Sequence, residues 1–155
     1  MSDNPGRLDK YLERISVPEH FGPGKWDDMH LLGFHARTYE KKMQFIYHVE
    51  LVIKNLRCQE CRDDSLSYMK SHPITSYWNK FYNGEDIGFF LWSVDFHNYV
   101  NRKLGKPEVP TEVAYRLYKY PDEFICKEGC GGSNNNSSEK INTPTPKPSY
   151  GFMPL

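Results

Sequence analysis

The sequence predicts an all-α fold: a four-helix bundle extended by a short fifth helix. Three observations predict it. Apolar residues recur at helical spacing in successive segments, proline and glycine mark short connections between them, and no alternating strand pattern competes.

The first helix is expected from near Pro23, because proline suits a first helical turn. It carries Trp26, Met29, His30 and Gly33 at helical spacing. The second runs from about Glu40 to Leu56, with Met43, Ile46, Ile53 and Leu56 on one stripe. The third begins near Cys58 and ends by Ser71, since Pro73 restricts the residue before it. Asn83-Gly84 signals a turn in the connection that follows. The fourth helix spans about Asp86 to Leu104, with Phe89, Trp92, Phe96 and Val100 as its buried stripe and Gly105-Lys106-Pro107 as its stop. Thr111 is placed to cap a fifth helix that reaches about Tyr120, before Pro121.

Three regions follow from this reading: a polar lead over 1–20, a helical domain over 21–122, and a tail over 123–155. The stretch GGSNNNSSEKINTPTPKPSYG buries too little apolar surface to offset its ordering entropy, and is expected to be disordered. With 155 residues, 38% of them apolar and 15% aromatic, the chain can build one core and wall a flat aromatic ligand. Twenty basic residues balance twenty acidic ones, which argues against a nucleic-acid partner. No segment approaches the roughly 20 apolar residues that span a bilayer, and MSDNPGRLDKYLERI lacks the apolar run of a signal peptide. No membrane partner and a cytoplasmic location are the expectations.

The four cysteines form two close pairs, Cys58 with Cys61 and Cys126 with Cys130. In a reducing compartment such pairs point to catalysis or metal binding rather than to structural disulfides. Cys58-Gln59-Glu60-Cys61 places both sulfurs on one side of a helix start. The positive end of the dipole, with Arg57 and Arg62 adjacent, stabilises a thiolate there. Spacing alone also admits half of a zinc site or two inert cysteines. His97 and Asn101 lie four apart on the fourth helix, with Lys103 and Lys106 positioned for phosphates. Trp26 and His30 repeat that spacing on the first helix. Read alone, each of these last two patterns is more often a polar helix face or a core tryptophan beside a satisfied histidine.

Taken together, FGPGKWDDMH, CQEC and FHNYVNRKLGKP, in that order and spacing, resemble the Erv/ALR sulfhydryl oxidase family over roughly residues 21–120. The compact form, lacking a thioredoxin domain, resembles members carried by large cytoplasmic DNA viruses, iridoviruses among them. The resemblance implies a bundle with FAD bound at its mouth, and a flavoprotein that oxidises thiols of protein substrates and passes the electrons to oxygen, giving hydrogen peroxide. It implies Cys61 as the cysteine next to the flavin and Cys58 as the one that accepts attack by outside thiolates. Gly22, Lys25, Trp26, His30, His97, Asn98, Asn101, Lys103 and Lys106 fall on FAD-contacting positions, and Tyr118 falls near a tryptophan of many members. Cys126 and Cys130 stand where a shuttle disulfide would. A homodimer through the first two helices and the host cytoplasm are implied as well.

The chain departs from the pattern in two places. Val94 and Thr111 occupy the positions of a second disulfide found in many members. Pro23 stands where some have an arginine, with Lys25 nearby to supply the charge. The alternative to an oxidase is a structural or interaction module with one zinc held by Cys58, Cys61, Cys126 and Cys130. That reading leaves FHNYVNRKLGKP without a role.

Overall fold

The computed structural model describes residues 18–121. Five helices follow one another: α1 (Pro18–His35), α2 (Tyr39–Lys54), α3 (Gln59–Ser71), α4 (Gly88–Lys103) and α5 (Thr111–Lys119). Between α3 and α4 lie a 3-10 turn (Ile74–Tyr77) and two short strands, β1 (Phe81–Tyr82) and β2 (Glu85–Asp86). The strands pair antiparallel around Asn83-Gly84, both at positive φ, so the expected turn closes a small hairpin that the sequence reading did not anticipate.

α4 is the central element, in closest contact with α1. The apolar core gathers Trp26 and Met29 of α1, Phe45, Val49 and Ile53 of α2, Tyr68 of α3, and Phe89, Trp92 and Phe96 of α4. Burial of each large α4 ring contributes about 1.5–3 kcal/mol. A second cluster, with Phe34, Phe90, Val94 and Tyr115, seats α5. Gly33 lets α1 approach α4: a Cβ there would come within 3.0 Å of the Phe89 and Phe90 backbone.

Several element expectations need correction. α1 extends N-terminally past Pro23, which lies inside it. A proline there has no N–H to donate to the carbonyl four residues earlier, and its ring crowds that carbonyl. On α2 the buried face is Lys42, Phe45, Val49 and Ile53, while Met43 is exposed and Ile46 half-buried. Lys42 belongs to that face because its Nζ donates to the Trp78 carbonyl at 2.6 Å and to Asp86 at 2.7 Å. Of the expected α4 stripe, Phe89, Trp92 and Phe96 are buried and Val100 is half-buried, and Phe90, Ser93, Val94, His97 and Asn101 lie inside as well. Thr111 is the first residue of α5 and caps nothing; Pro110 precedes it as the cap position. The stop at Gly105 holds: at φ 66° its N–H reaches the Arg102 carbonyl, and the Lys106 N–H reaches that of Asn101. The expected disorder of the tail lies outside the described residues, as do Cys126, Cys130 and most of the polar lead.

Candidate active site

Cys58 is the N-cap of α3, and its Sγ accepts the Cys61 backbone N–H at 3.1 Å. The two cysteines are joined in a disulfide with their Cα atoms 5.2 Å apart. The turn is braced from both sides. Arg62 donates to the Leu56 carbonyl and to Gln59, and Ser65 donates to the Cys61 carbonyl at 2.7 Å. Both cysteines are exposed. They open onto a cleft of about 370 Å3 between α1, α2, α3 and α4. That volume falls in the about 300–1,000 Å3 range of small-molecule sites.

Apolar walls come from Trp26, Met29, Ile53, Phe96 and Val100, and charge from Lys25, Arg57, Glu60, Asp64 and Lys103. Lys103 Nζ pairs with Asp64 Oδ1 at 2.5 Å, and the Tyr99 hydroxyl donates to the same oxygen at 3.0 Å. Burial and that bond to Asp64 push the Tyr99 hydroxyl above its usual range.

Beside the cleft lies a second, buried group, and Trp26 borders both. The Trp26 ring stacks on His97 at 4.2 Å and 5°. His97 Nδ1 is 3.0 Å from His30 Nε2, and His30 Nδ1 is 2.8 Å from Ser93 Oγ. Burial, reinforced by His97, holds His30 well below the ordinary histidine range. Burial, with Lys106 nearby, lowers His97 to about 4. Both rings are therefore neutral near pH 7. Tyr118 meets the edge of His30 at 5.7 Å and donates to Asp27 at 2.8 Å. Its hydroxyl is raised, first by burial and then by Asp27.

Of the residues singled out in the sequence, Gly22, Lys25, Trp26, Cys58, Cys61 and Lys103 thus line one cleft. His30, His97 and Tyr118 gather beside Trp26, outside the cleft lining. Asn98 faces elsewhere: its amide exchanges two hydrogen bonds with the backbone of Val109. Asn101 is buried, and its Nδ2 has no hydrogen-bond partner among the described residues. Its backbone carbonyl accepts the Lys106 backbone N–H at 2.8 Å.

Asp64 and Ser93 were missed in the sequence. A spacing signal existed for both: Asp64 follows Cys61 by three residues, and Ser93 precedes His97 by four.

The arrangement suits a flat conjugated ring carrying an anionic tail. An apolar slot lies against a disulfide, cations stand at its rim, and a buried amide donor awaits an acceptor. As a disulfide, the pair lacks the thiolate form that zinc requires.

A family model described as the Erv1 / Alr family matches residues 23–121. The chain is 33% identical over 103 residues to the FAD-linked sulfhydryl oxidase of a Kenyan pig isolate of African swine fever virus, covering 64% of this chain and 81% of that protein. Against the protein of that name from a Malawian tick isolate the identity is 34% over 103 residues, with the same coverage. A protein of Invertebrate iridescent virus 6, provisionally named for the same activity, is 27% identical over 115 residues, covering 66% of this chain and 96% of that protein.

Proposed function

The chain belongs to the Erv1/Alr family, and on that premise we propose that it is a flavin-linked thiol oxidase that makes disulfides in protein substrates. One observation carries the reading: the Cys58–Cys61 disulfide caps α3 and opens onto an apolar cleft walled by Trp26 and Phe96. The relatives' printed name, FAD-linked sulfhydryl oxidase, supplies the cofactor. Trp26 and Phe96 would hold its ring, Lys25 and Lys103 its phosphates, and the orphaned Asn101 amide one of its acceptors.

A substrate thiolate attacks Cys58 Sγ, the Cys58–Cys61 bond breaks, and Cys61 leaves as a thiolate. A second substrate thiolate then attacks the substrate sulfur of the mixed disulfide. The product disulfide forms, and Cys58 leaves as a thiolate at the N-terminus of α3. There the Cys61 N–H that already reaches its sulfur stabilises the charge. Bound FAD would supply the two-electron acceptor for the reduced pair and the route to oxygen, so that two thiols and one oxygen molecule would yield one disulfide and hydrogen peroxide.

The same reading makes Cys126 and Cys130 a shuttle between bulky substrates and Cys58, and places the enzyme in the host cytoplasm. No helix among the described residues is long and apolar enough to cross a membrane. Two copies pair through α1 and α2, and on α2 Tyr39, Met43, Tyr47 and Leu51 form an exposed apolar strip at four-residue spacing. Purified protein should be yellow, release free FAD on acid treatment, and consume oxygen with dithiothreitol while producing peroxide. A folded, colourless protein that takes up no FAD and consumes no oxygen overturns the reading. Bound zinc in such a preparation would favour the zinc module instead.

A further inference from the structure

Asn83 and Gly84 are the two loop residues of the β1–β2 hairpin, at φ 49° and 77°. Both are exposed, and a Cβ built on Gly84 would meet nothing within 4 Å. The ladder pairs Tyr82 with Glu85, so the Gly84 N–H lies outside it. The Asn83 amide thus precedes, in open solvent, a backbone nitrogen that no side chain shields. No other asparagine of the chain is followed by glycine.

The strand that follows this loop holds three other parts of the molecule. Glu85 accepts Arg37, between α1 and α2, at 3.0 Å, and from α5 it accepts the Tyr115 hydroxyl at 2.7 Å and Lys119 at 2.8 Å. Asp86 accepts the ammonium of the buried Lys42 of α2 at 2.7 Å.

We propose that Asn83 is a site of spontaneous deamidation, and that its isoaspartyl product releases α5 and the buried Lys42 from the hairpin. The Gly84 nitrogen attacks Asn83 Cγ. The new N–Cγ bond closes a succinimide ring, the Cγ–Nδ2 bond breaks, and ammonia leaves with the Gly84 proton. Water then opens the ring at one carbonyl to give aspartate, or at the other to give isoaspartate, whose backbone runs through Cβ. Nothing is oxidised or reduced, and base speeds the first step by removing the Gly84 proton.

Aspartate keeps the chain length and tolerates the left-handed conformation, so it leaves the turn closed. Isoaspartate adds a backbone carbon to a two-residue loop whose closure depends on positive φ at both residues. Tyr82 and Glu85 then lose their register. Glu85 moves away from Tyr115 and Lys119, and Lys42 loses its counter-charge inside the core, which is costly for a buried ion. A change at an exposed turn is therefore felt in the interior. No step involves the cofactor, so the site exists whether or not the chain binds FAD.

The test warms full-length protein in mildly alkaline buffer beside a sample kept mildly acidic. Isoaspartate is located by peptide mapping with isoaspartyl methyltransferase labelling, while Tm and amide hydrogen exchange are followed in parallel. Isoaspartate should accumulate at position 83 in the alkaline sample before it appears at Asn55, Asn79, Asn98 or Asn101. As it does, Tm should fall by at least about 4 °C, and the α5 amides should lose protection. Asn83→Gly keeps a residue that accepts positive φ, and should hold its Tm through the same treatment. No isoaspartate at 83, once a synthetic peptide of residues 79–88 has deamidated under the same conditions, overturns the site. Isoaspartate at 83 with unchanged Tm and unchanged α5 exchange overturns the release. Both of these outcomes are read on the unsubstituted protein. An equal loss of Tm in Asn83→Gly places the damage elsewhere and also overturns the release.

Discussion

Asn98 and Val109 exchange two hydrogen bonds: the side-chain Nδ2 donates to the Val109 carbonyl at 2.9 Å, and the Val109 N–H donates to Oδ1 at 2.8 Å. The pair ties α4 to the segment that leads into α5. These are the elements that the family resemblance joins by a second disulfide, at positions held here by Val94 and Thr111. The clamp is noncovalent and survives reduction, which suits a reducing compartment.

Asn98→Ala should cost about 2–3 kcal/mol in urea unfolding, because it removes both bonds and leaves the Val109 backbone groups unsatisfied. Asn98→Asp should cost less, since a carboxylate still accepts the Val109 N–H. A loss under about 0.5 kcal/mol in the alanine variant would show that the clamp adds nothing to stability.

Cys58→Ser and Cys61→Ser should each reduce oxygen consumption with a small dithiol to background while FAD stays bound. Serine at position 58 keeps an acceptor at the N-cap of α3, so the helix start should persist. In the Cys61→Ser protein, a mixed disulfide with substrate should be trapped on Cys58. Full turnover in either variant would remove the pair from the mechanism.

Stability should fall as the solution is acidified below pH 6.5. His97, lowered to about 4, and His30, also lowered, stay neutral in the folded protein while the unfolded chain takes up protons from 6.5 downward. The unfolded state thus binds more protons, and the loss grows until the folded pKa is reached. At pH 5 the His97 contribution is about 2 kcal/mol. Glu85 is held at about 2 by Lys119 and Tyr115, and its contribution is lost only as pH falls below the ordinary carboxylate value of 4.5. The interval from pH 6.5 to 5 therefore isolates the histidines. Urea midpoints that do not change across it would contradict the burial-driven shifts.

Asp64→Asn should tighten FAD binding by up to about fivefold, and Lys103→Met should weaken it by a similar factor. Asp64 now shares Lys103 Nζ at 2.5 Å and stands in the cleft as a competing anion. Neutralising it frees that cation for a phosphate. Affinity in Asp64→Asn should also depend more strongly on salt, as measured by flavin fluorescence titration. Weaker binding in Asp64→Asn would mean that the carboxylate orients Lys103 rather than competes for it.

Local rules made much of this protein legible. The helix-stop glycine at 105, the Asn83-Gly84 turn and the start of α3 at Cys58 follow from backbone preferences over a few residues. The cysteine spacing and the FHNYVNRKLGKP segment carried the family likeness in the same way. What the tertiary structure decided is which polar groups enter the core and what they meet there. Lys42 is buried because Trp78 and Asp86 reach it from 36 and 44 residues away. His30 and His97 touch across 67 residues, and His30 reaches Ser93 with its other ring nitrogen. Periodicity along a helix reports the average polarity of a face. It does not report the crossing of two helices, and at such crossings a buried donor or acceptor must find its partner from a distant part of the chain.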